Sequence, residues 1–215
     1  MNAKKLEKGI WISEGMSKKL KPLRPVFQAL VDVHQEYIDA DSNGSGDCPY
    51  WYGERPHVGF LAAAVWKNGG VALEEYGTSK RNEHKFKRGR CDLWIKIRQA
   101  SFECEAKHLW LNLGRIKENI NDIKNEAKKA KRDVKKLQNK VGISLCFVTP
   151  VIRQSKLSKL KDANQELVKS LKDKLKNGSS WCDALVWIGF KKGQEKRNKN
   201  HYYTGLLIII KAVGI

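Results

Sequence analysis

The sequence predicts an α/β fold in which helices flank one mixed central sheet, with a small helical extension at the N-terminus. Three observations carry that expectation. A chain of 215 residues is long enough for one sizeable domain and short for two. Segments whose apolar residues recur every three or four positions alternate with short apolar runs of strand type. The longest amphipathic segment runs straight into an apolar strand, the arrangement by which a helix returns the chain to a sheet.

Residues 1–50 read as the helical extension. After a short segment, the stretch from Pro25 to Ile38 spaces Phe27, Leu30, Val31 and His34 as one helix face. The loop from Asp41 to Asp47, rich in Ser, Asn and Gly, ends it. Residues 51–215 read as the main domain. Its first helix runs from Glu54 to Lys67: Pro56 suits a first turn, Phe60, Leu61, Ala64 and Val65 supply an apolar face, and Asn68, Gly69 and Gly70 stop it. Three strands follow at Val71–Tyr76, Cys91–Arg98 and Ser101–His108, the last two close enough to form an antiparallel hairpin. Between the first two lies a strongly basic loop from Ser79 to Arg90.

From Ile116 the apolar positions Ile120, Ile123, Ala127, Ala130, Val134, Leu137 and Val141 trace one long amphipathic helix. A coiled-coil homodimer would use the same spacing. The alanines in the middle suit close packing on a sheet, however, and the strand Gly142–Thr149 follows at once, so packing on the sheet is the expectation. Another amphipathic helix covers Lys156–Lys176. Asp183–Phe190 and Tyr202–Ala212 read as buried strands joined by the basic connector Lys191–Asn200.

The formal net charge is +19, from 42 Lys plus Arg against 23 Asp plus Glu. Such an excess favours a polyanionic partner such as DNA or RNA. Ribosomal and heparin-binding proteins share this signature, so charge identifies a class of partner and no reaction. Cys48, Cys91, Cys104, Cys146 and Cys182 are odd in number and form no Cys-x-x-Cys pair, which points to small core residues in a reducing compartment and away from a zinc site. The longest apolar run, around residues 205–210, is far short of the roughly 20 residues of a spanning helix. The N-terminus has no apolar stretch of signal-peptide length. The expectation is a soluble cytoplasmic protein without membrane contact.

In the segment from Phe102 to Lys107, strand alternation sends Glu103, Glu105 and Lys107 to one face. The pattern (D/E)-x-K recurs in so lysine-rich a chain, at Glu83/Lys85, Asp122/Lys124, Glu126/Lys128 and Asp133/Lys135. The last three lie in the expected long helix, where residues two apart diverge, and the first lies in the basic loop. Only Glu105/Lys107 sits on a strand. Asp92 opens the preceding strand and would meet Glu105 across the hairpin.

An acidic residue at the head of one strand, Glu105 and Lys107 in the next, a flanking helix and a further strand together resemble the core of the PD-(D/E)xK nucleases, over about residues 51–150. Cys91 stands where the name-giving proline of that family would be. The resemblance implies a restriction-endonuclease-like fold and an endonuclease that hydrolyses phosphodiester bonds, in DNA above all, with Mg²⁺ or Mn²⁺. Asp92 and Glu105 would hold the metal through hard carboxylate oxygens. Lys107 would orient or help deprotonate the attacking water and offset the charge that grows on the phosphorane. Many relatives add a glutamate from the helix before the first strand; Glu54 is the candidate here, as catalytic residue and metal ligand, with Glu74 and Glu75 as competitors. The rival reading is a nucleic-acid-binding protein of the same fold that does not cut.

Lys80, Arg81, Lys85, Lys87, Arg88 and Arg90 in the basic loop are candidates for phosphate contacts, as are Lys191, Lys192, Lys196 and Arg197 in the connector and the outer face of the long helix. Lysine-rich faces also serve simply to keep an element solvated. Tyr50, Trp51 and Tyr52 would pack at the domain edge or stack on an unpaired base. His57, His84 and His108 have no ligand spacing and read as structural or exposed, His108 with a supporting role beside the site. Double-strand cutting by one such site would call for a homodimer or for sequential nicks.

Overall fold

A computed structural model of the chain describes residues 6–13, 20–40, 47–82, 85–137, 141–190, 196–198 and 200–214. In chain order its elements are the strand Leu6–Ile12 (β1), the helices Arg24–Ala40 (α1) and Glu54–Lys67 (α2), and the strands Val71–Asn82 (β2), Lys85–Ile97 (β3) and Ala100–Asn112 (β4). The helix Ile116–Val134 (α3), the strand Gly142–Arg153 (β5) and the helix Leu160–Lys176 (α4) follow, then the strands Ala184–Phe190 (β6), Lys196–Asn198 (β7), His201–Tyr203 (β8) and Gly205–Val213 (β9). Among the described residues the strands make one nine-stranded sheet in the order β1-β6-β9-β5-β4-β3-β2, with β8 beside β5 and β7 beside β8. β4 and β5 run parallel and are joined through α3; the other pairings are antiparallel. Among the described residues the fold is mixed α/β, a large mixed sheet flanked by four helices.

Strand alternation feeds two cores. Ile143, Leu145 and Phe147 of β5 join Phe27 and Leu30 of α1 and Val58 and Leu61 of α2 on one face. Cys146 and Val148 join Ile123 and Ala127 of α3 and Leu167 and Leu171 of α4 on the other. Each buried Leu, Ile or Phe contributes roughly 1.5–3 kcal/mol, so these two apolar layers hold the helices to the sheet. β6 is buried along its whole length, which is why it reads as an unbroken apolar run.

The long helix packs on the sheet as expected. Ala127 and Ala130 are buried and bring α3 so close that a Cβ on Gly142 would collide with Val134. α3 ends at Val134, earlier than its apolar spacing suggests, where Lys136 N–H donates to the Asp133 carbonyl and Leu137 N–H to that of Val134, each at 3.0 Å, in a tighter turn. α2 has the expected bounds. Gly69 takes a left-handed φ of 71° after it, and Gly70 passes so close to Lys96 that a Cβ would lie 2.8 Å from that carbonyl.

Three expectations change. Leu6–Ile12, inside the stretch read as a helical extension, is a strand paired with β6, and α1 shares a core with α2 and the sheet; Lys8 and Gly9 break the apolar alternation that would have revealed the strand. The basic loop is instead a two-stranded ribbon, because β2 and β3 stay paired out to Asn82 and Lys85. Lys80, Arg81, Lys85, Lys87, Arg88 and Arg90 therefore lie on strands. Backbone pairing needs no apolar face, and a ribbon wet on both sides carries no hydrophobic alternation to betray it. Finally, Tyr202–Ala212 is two strands, β8 and β9, interrupted at Thr204, whose side chain donates to Asn164 of α4. No helix among the described residues is long and apolar enough to cross a membrane.

Candidate active site

The sheet forks at Asp92. β3 and β4 pair only from Ile97 and Ala100 to Leu93 and Cys104; farther out β3 stays with β2, and β4 with β5. Asp92 is the first residue of β3 past the last pair. Its carboxylate replaces the missing ladder partner: Ala106 N–H donates to Asp92 Oδ2 at 2.8 Å. The Cys91 thiol donates in the same way to the Cys104 carbonyl at 3.4 Å. Asp92 is thus held over β4 at the residue between Glu105 and Lys107.

Glu105 is 2% exposed. The Lys80 ammonium lies 2.7 Å from its Oε1 and donates to its Oε2 at 2.8 Å, so Oε1 is buried with a positive charge beside it and no hydrogen bond of its own. The Lys80 stem crosses Gly89 to reach it; a Cβ on Gly89 would lie 2.9 Å from Lys80 Cγ. Burial pushes the Glu105 carboxyl up to about 7, with Lys80 pulling against it and Asp92 adding to it. The neighbouring Glu103 is also buried and accepts a hydrogen bond from the Tyr76 hydroxyl.

Lys107 is partly buried. Its ammonium donates to the Ala106 carbonyl at 2.8 Å and lies 3.3 Å from Asp133 Oδ2 on α3. Burial works against this charge, but Glu54, Asp133 and Asp92 outweigh it and hold its pKa above the ordinary lysine value. Burial likewise opposes the Asp133 carboxylate, and Lys136 and Lys107 outweigh it, so that group is held below the ordinary range. Glu54, the first residue of α2, is pushed up by burial, drawn down by Lys107 and pushed up further by Asp92, Glu126 and Asp133. It therefore lies in the field of the same cluster. Of its competitors, Glu75 accepts from Arg55 at 2.8 Å and lies 3.2 Å from Arg90, and Glu74 is exposed on β2.

Asp133 is the residue that sequence reasoning passed over. Its (D/E)-x-K match with Lys135 is accidental, as its helical position implies; the contact that matters is with Lys107 across the packing of α3 on β4. A signal was present, since Asp133 directly precedes buried Val134 on the flank of the apolar stripe. Among the phosphate candidates, Lys80 enters the site, whereas Arg81, Lys85, Lys87, Arg88 and Arg90 are exposed on the ribbon. Arg197 is exposed on β7, level with Ile152 through Tyr202. Lys107 is level with Cys146, about 20 Å away along β5 at the usual strand rise. Lys191, Lys192, His84 and the side chain of Lys196 lie outside the described residues. The outer face of α3 does gather charge: Lys128, Lys131, Arg132 and Lys135 line an open cleft of about 760 Å³ that also touches Leu109, two residues past Lys107.

On the opposite face of β4, His108 begins a buried ring stack. His57 of α2 lies between His108 and Phe147, 5.3 Å from each ring centre, with His34 of α1 at 6.5 Å. His34 Nδ1–H donates to the Leu30 carbonyl at 2.8 Å, and His108 Nε2 lies 3.0 Å from the Thr149 hydroxyl. Neither His57 nitrogen makes a hydrogen bond of normal geometry, nor does His34 Nε2, His108 Nδ1 or the Tyr50 hydroxyl. Burial lowers His34 and His108 to about 4 and takes His57 well below the ordinary value. The three rings are neutral packing elements. Tyr50 is fully buried beside them, and all five cysteines are buried.

The donors around the fork are carboxylate oxygens, which suit Mg²⁺ or Mn²⁺ and not zinc. The buried Glu105 Oε1, without a hydrogen bond and next to an ammonium, fits a position that takes a cation. As the side chains stand, no group of three His, Cys, Asp or Glu among the described residues converges to hold a metal ion. No family model, no curated protein and no solved structure matches the chain.

Proposed function

We propose that the protein is a divalent-metal-dependent nuclease with a restriction-endonuclease-like core of the PD-(D/E)xK type, hydrolysing phosphodiester bonds in DNA. The observation that carries this reading is the Asp92 carboxylate on the Ala106 N–H, between Glu105 and Lys107. Asp92 and Glu105, with Glu54 from α2, would hold Mg²⁺ or Mn²⁺, Lys80 giving up Glu105 to it. The bound cation supplies polarisation of a phosphoryl oxygen and a more acidic water. The remaining work falls to the chain itself. Lys107, kept protonated by Glu54 and Asp133, donates to the attacking water and offsets the negative charge of the phosphorane; abstracting a proton would require it neutral. Asp133 positions that ammonium. The cations of α3 and of the ribbon hold the phosphate backbone by charge.

The second reading, a nucleic-acid-binding protein of the same fold that does not cut, is favoured by the contacts that occupy the carboxylates: Asp92 on a backbone N–H and Glu105 on Lys80. Incubation of wild type and Asp92→Ala with supercoiled plasmid, linear duplex, single strands, branched junctions and RNA, in Mg²⁺, Mn²⁺ or EDTA, decides between them. Metal-dependent cutting that is lost in the variant supports the nuclease. Binding by both proteins with no cutting of any substrate supports the second reading.

A further inference from the structure

Beyond the fork, the ribbon formed by the outer ends of β2 and β3 has no third strand against it among the described residues. Cross-strand pairs run from Gly77 and Arg90 to Asn82 and Lys85, a span of about 17 Å at the usual strand rise. Arg81, Lys85, Lys87 and Arg88 are exposed and make no ion pair among the described residues. Phe86, opposite Arg81, is 62% exposed, an unusual position for a large apolar side chain unless something covers it. The ribbon is also fixed in direction. Arg81 N–H donates to the Lys136 carbonyl just after α3 at 2.7 Å, and Lys80 is pinned to Glu105.

We propose that this ribbon lies in the major groove of double-helical DNA and makes B-form duplex the substrate of the neighbouring site. The inference rests on the reading of nucleic acid as the substrate. Two paired strands sit about 4.8 Å apart, and with their side chains they match a groove about 12 Å wide that admits an α-helix or a two-stranded ribbon. The groove of an RNA duplex is too deep and narrow for them. The side-chain set fits what the groove and its rim display: guanidinium and ammonium groups for phosphates and guanine O6 and N7, hydroxyls of Thr78 and Ser79 for either role, and Phe86 for a thymine methyl. Arg88 is four residues from Asp92, about 13 Å along the strand, so a duplex held by the ribbon brings its backbone to the fork.

The test measures binding in EDTA, where no metal-dependent cutting occurs. Wild type is compared with a shortened ribbon, in which an Asn-Gly turn replaces residues 81–86 between the paired Lys80 and Lys87, and with the full-length triple variant Lys85→Glu, Lys87→Glu, Arg88→Glu; circular dichroism checks the fold of each. Probes are duplex DNA of about 20 base pairs, its single strands and the matching RNA duplex, with dimethyl sulfate mapping guanine N7 in the major groove and adenine N3 in the minor. Wild type should bind duplex DNA at least about tenfold better than the other two and protect guanine N7. Both variants should lose that preference and protection, and the triple variant should show a salt dependence shallower by roughly 2–3 in log–log slope. Unchanged binding by both variants, protection confined to adenine N3, or a wild-type preference for single strands or RNA would overturn the proposal and leave the ribbon as a charged edge that blocks strand pairing. Duplex binding with N7 protection but no cutting in Mg²⁺ or Mn²⁺ would keep the ribbon's role and remove the nuclease.

Discussion

β4 divides two polar clusters, each buried in part, that meet the same physical problem in opposite ways. On one face Lys80 and Lys107 stand against the carboxyl groups of Glu105 and Asp133, and Asp92 caps a backbone N–H. On the other, His34, His57 and His108 stay neutral, and several of their nitrogens lack hydrogen bonds. A charge in a low-dielectric setting is tolerable only when paired, and the pairing orients each group. A neutral imidazole can be kept as an aromatic spacer at the cost of an unmet hydrogen bond. The difference separates a face built to present charge, beside a cationic cleft, from one built to fill space between α1, α2 and the sheet.

The contrast is broken or sharpened most forcefully at Lys107. Lys107→Ala should lower single-turnover cleavage by about 10²–10³-fold, and Lys107→Arg should not restore it, because its planar fork cannot reproduce a compact ammonium between Asp133 and the Ala106 carbonyl. Cleavage by Lys107→Ala within a few-fold of wild type would remove the charged face from the chemistry.

The next effect is on acid stability. The folded pKa values of His34 and His108, about 4, lie below the ordinary 6.5. Their contribution is complete above pH 6.5 and is lost as pH falls towards 4, by up to about 3 kcal/mol each. Glu105 acts in the other direction: its folded value, about 7, lies above the ordinary 4.5, so its burial costs stability above pH 7 and that cost fades as pH falls towards 4.5. Two histidines outweigh one glutamate. Denaturant melts should show stability declining from pH 6.5 to 4; a flat or rising profile would contradict neutral burial of the stack.

A smaller effect is expected at His57. Replacement by leucine, close to it in volume, removes two buried nitrogens that make no hydrogen bond of normal geometry and should raise stability by up to about 1 kcal/mol while leaving cleavage unchanged. A loss of more than about 1 kcal/mol in the melt would mean that the ring does more than fill space.

Much of this arrangement was legible in the sequence because burial writes itself as periodicity. The bounds of α2, the packing of α3 on the sheet and the facing of Glu105 and Lys107 follow from apolar spacing at 3.6 or 2 residues. What was hidden lacked an apolar face or depended on distant contacts. The ribbon carries cations on both sides and looks like a loop. β1 is short and interrupted by Lys8 and Gly9. Asp133 reaches Lys107 only through the packing of a helix on a strand, and Lys80 reaches Glu105 only because Gly89 leaves room for its stem. Histidine stacking could not be read from residues as far apart as His34 and His108.

The most direct test of the account is the metal-dependent cleavage rate of Glu105→Gln beside wild type, with thermal melts of both at pH 8. The glutamine keeps the shape and removes a carboxylate whose ionised form is disfavoured by burial. The variant should be at least as stable as wild type at pH 8 and should not cut duplex DNA in Mg²⁺ or Mn²⁺. A folded Glu105→Gln protein that cuts at the wild-type rate would contradict it.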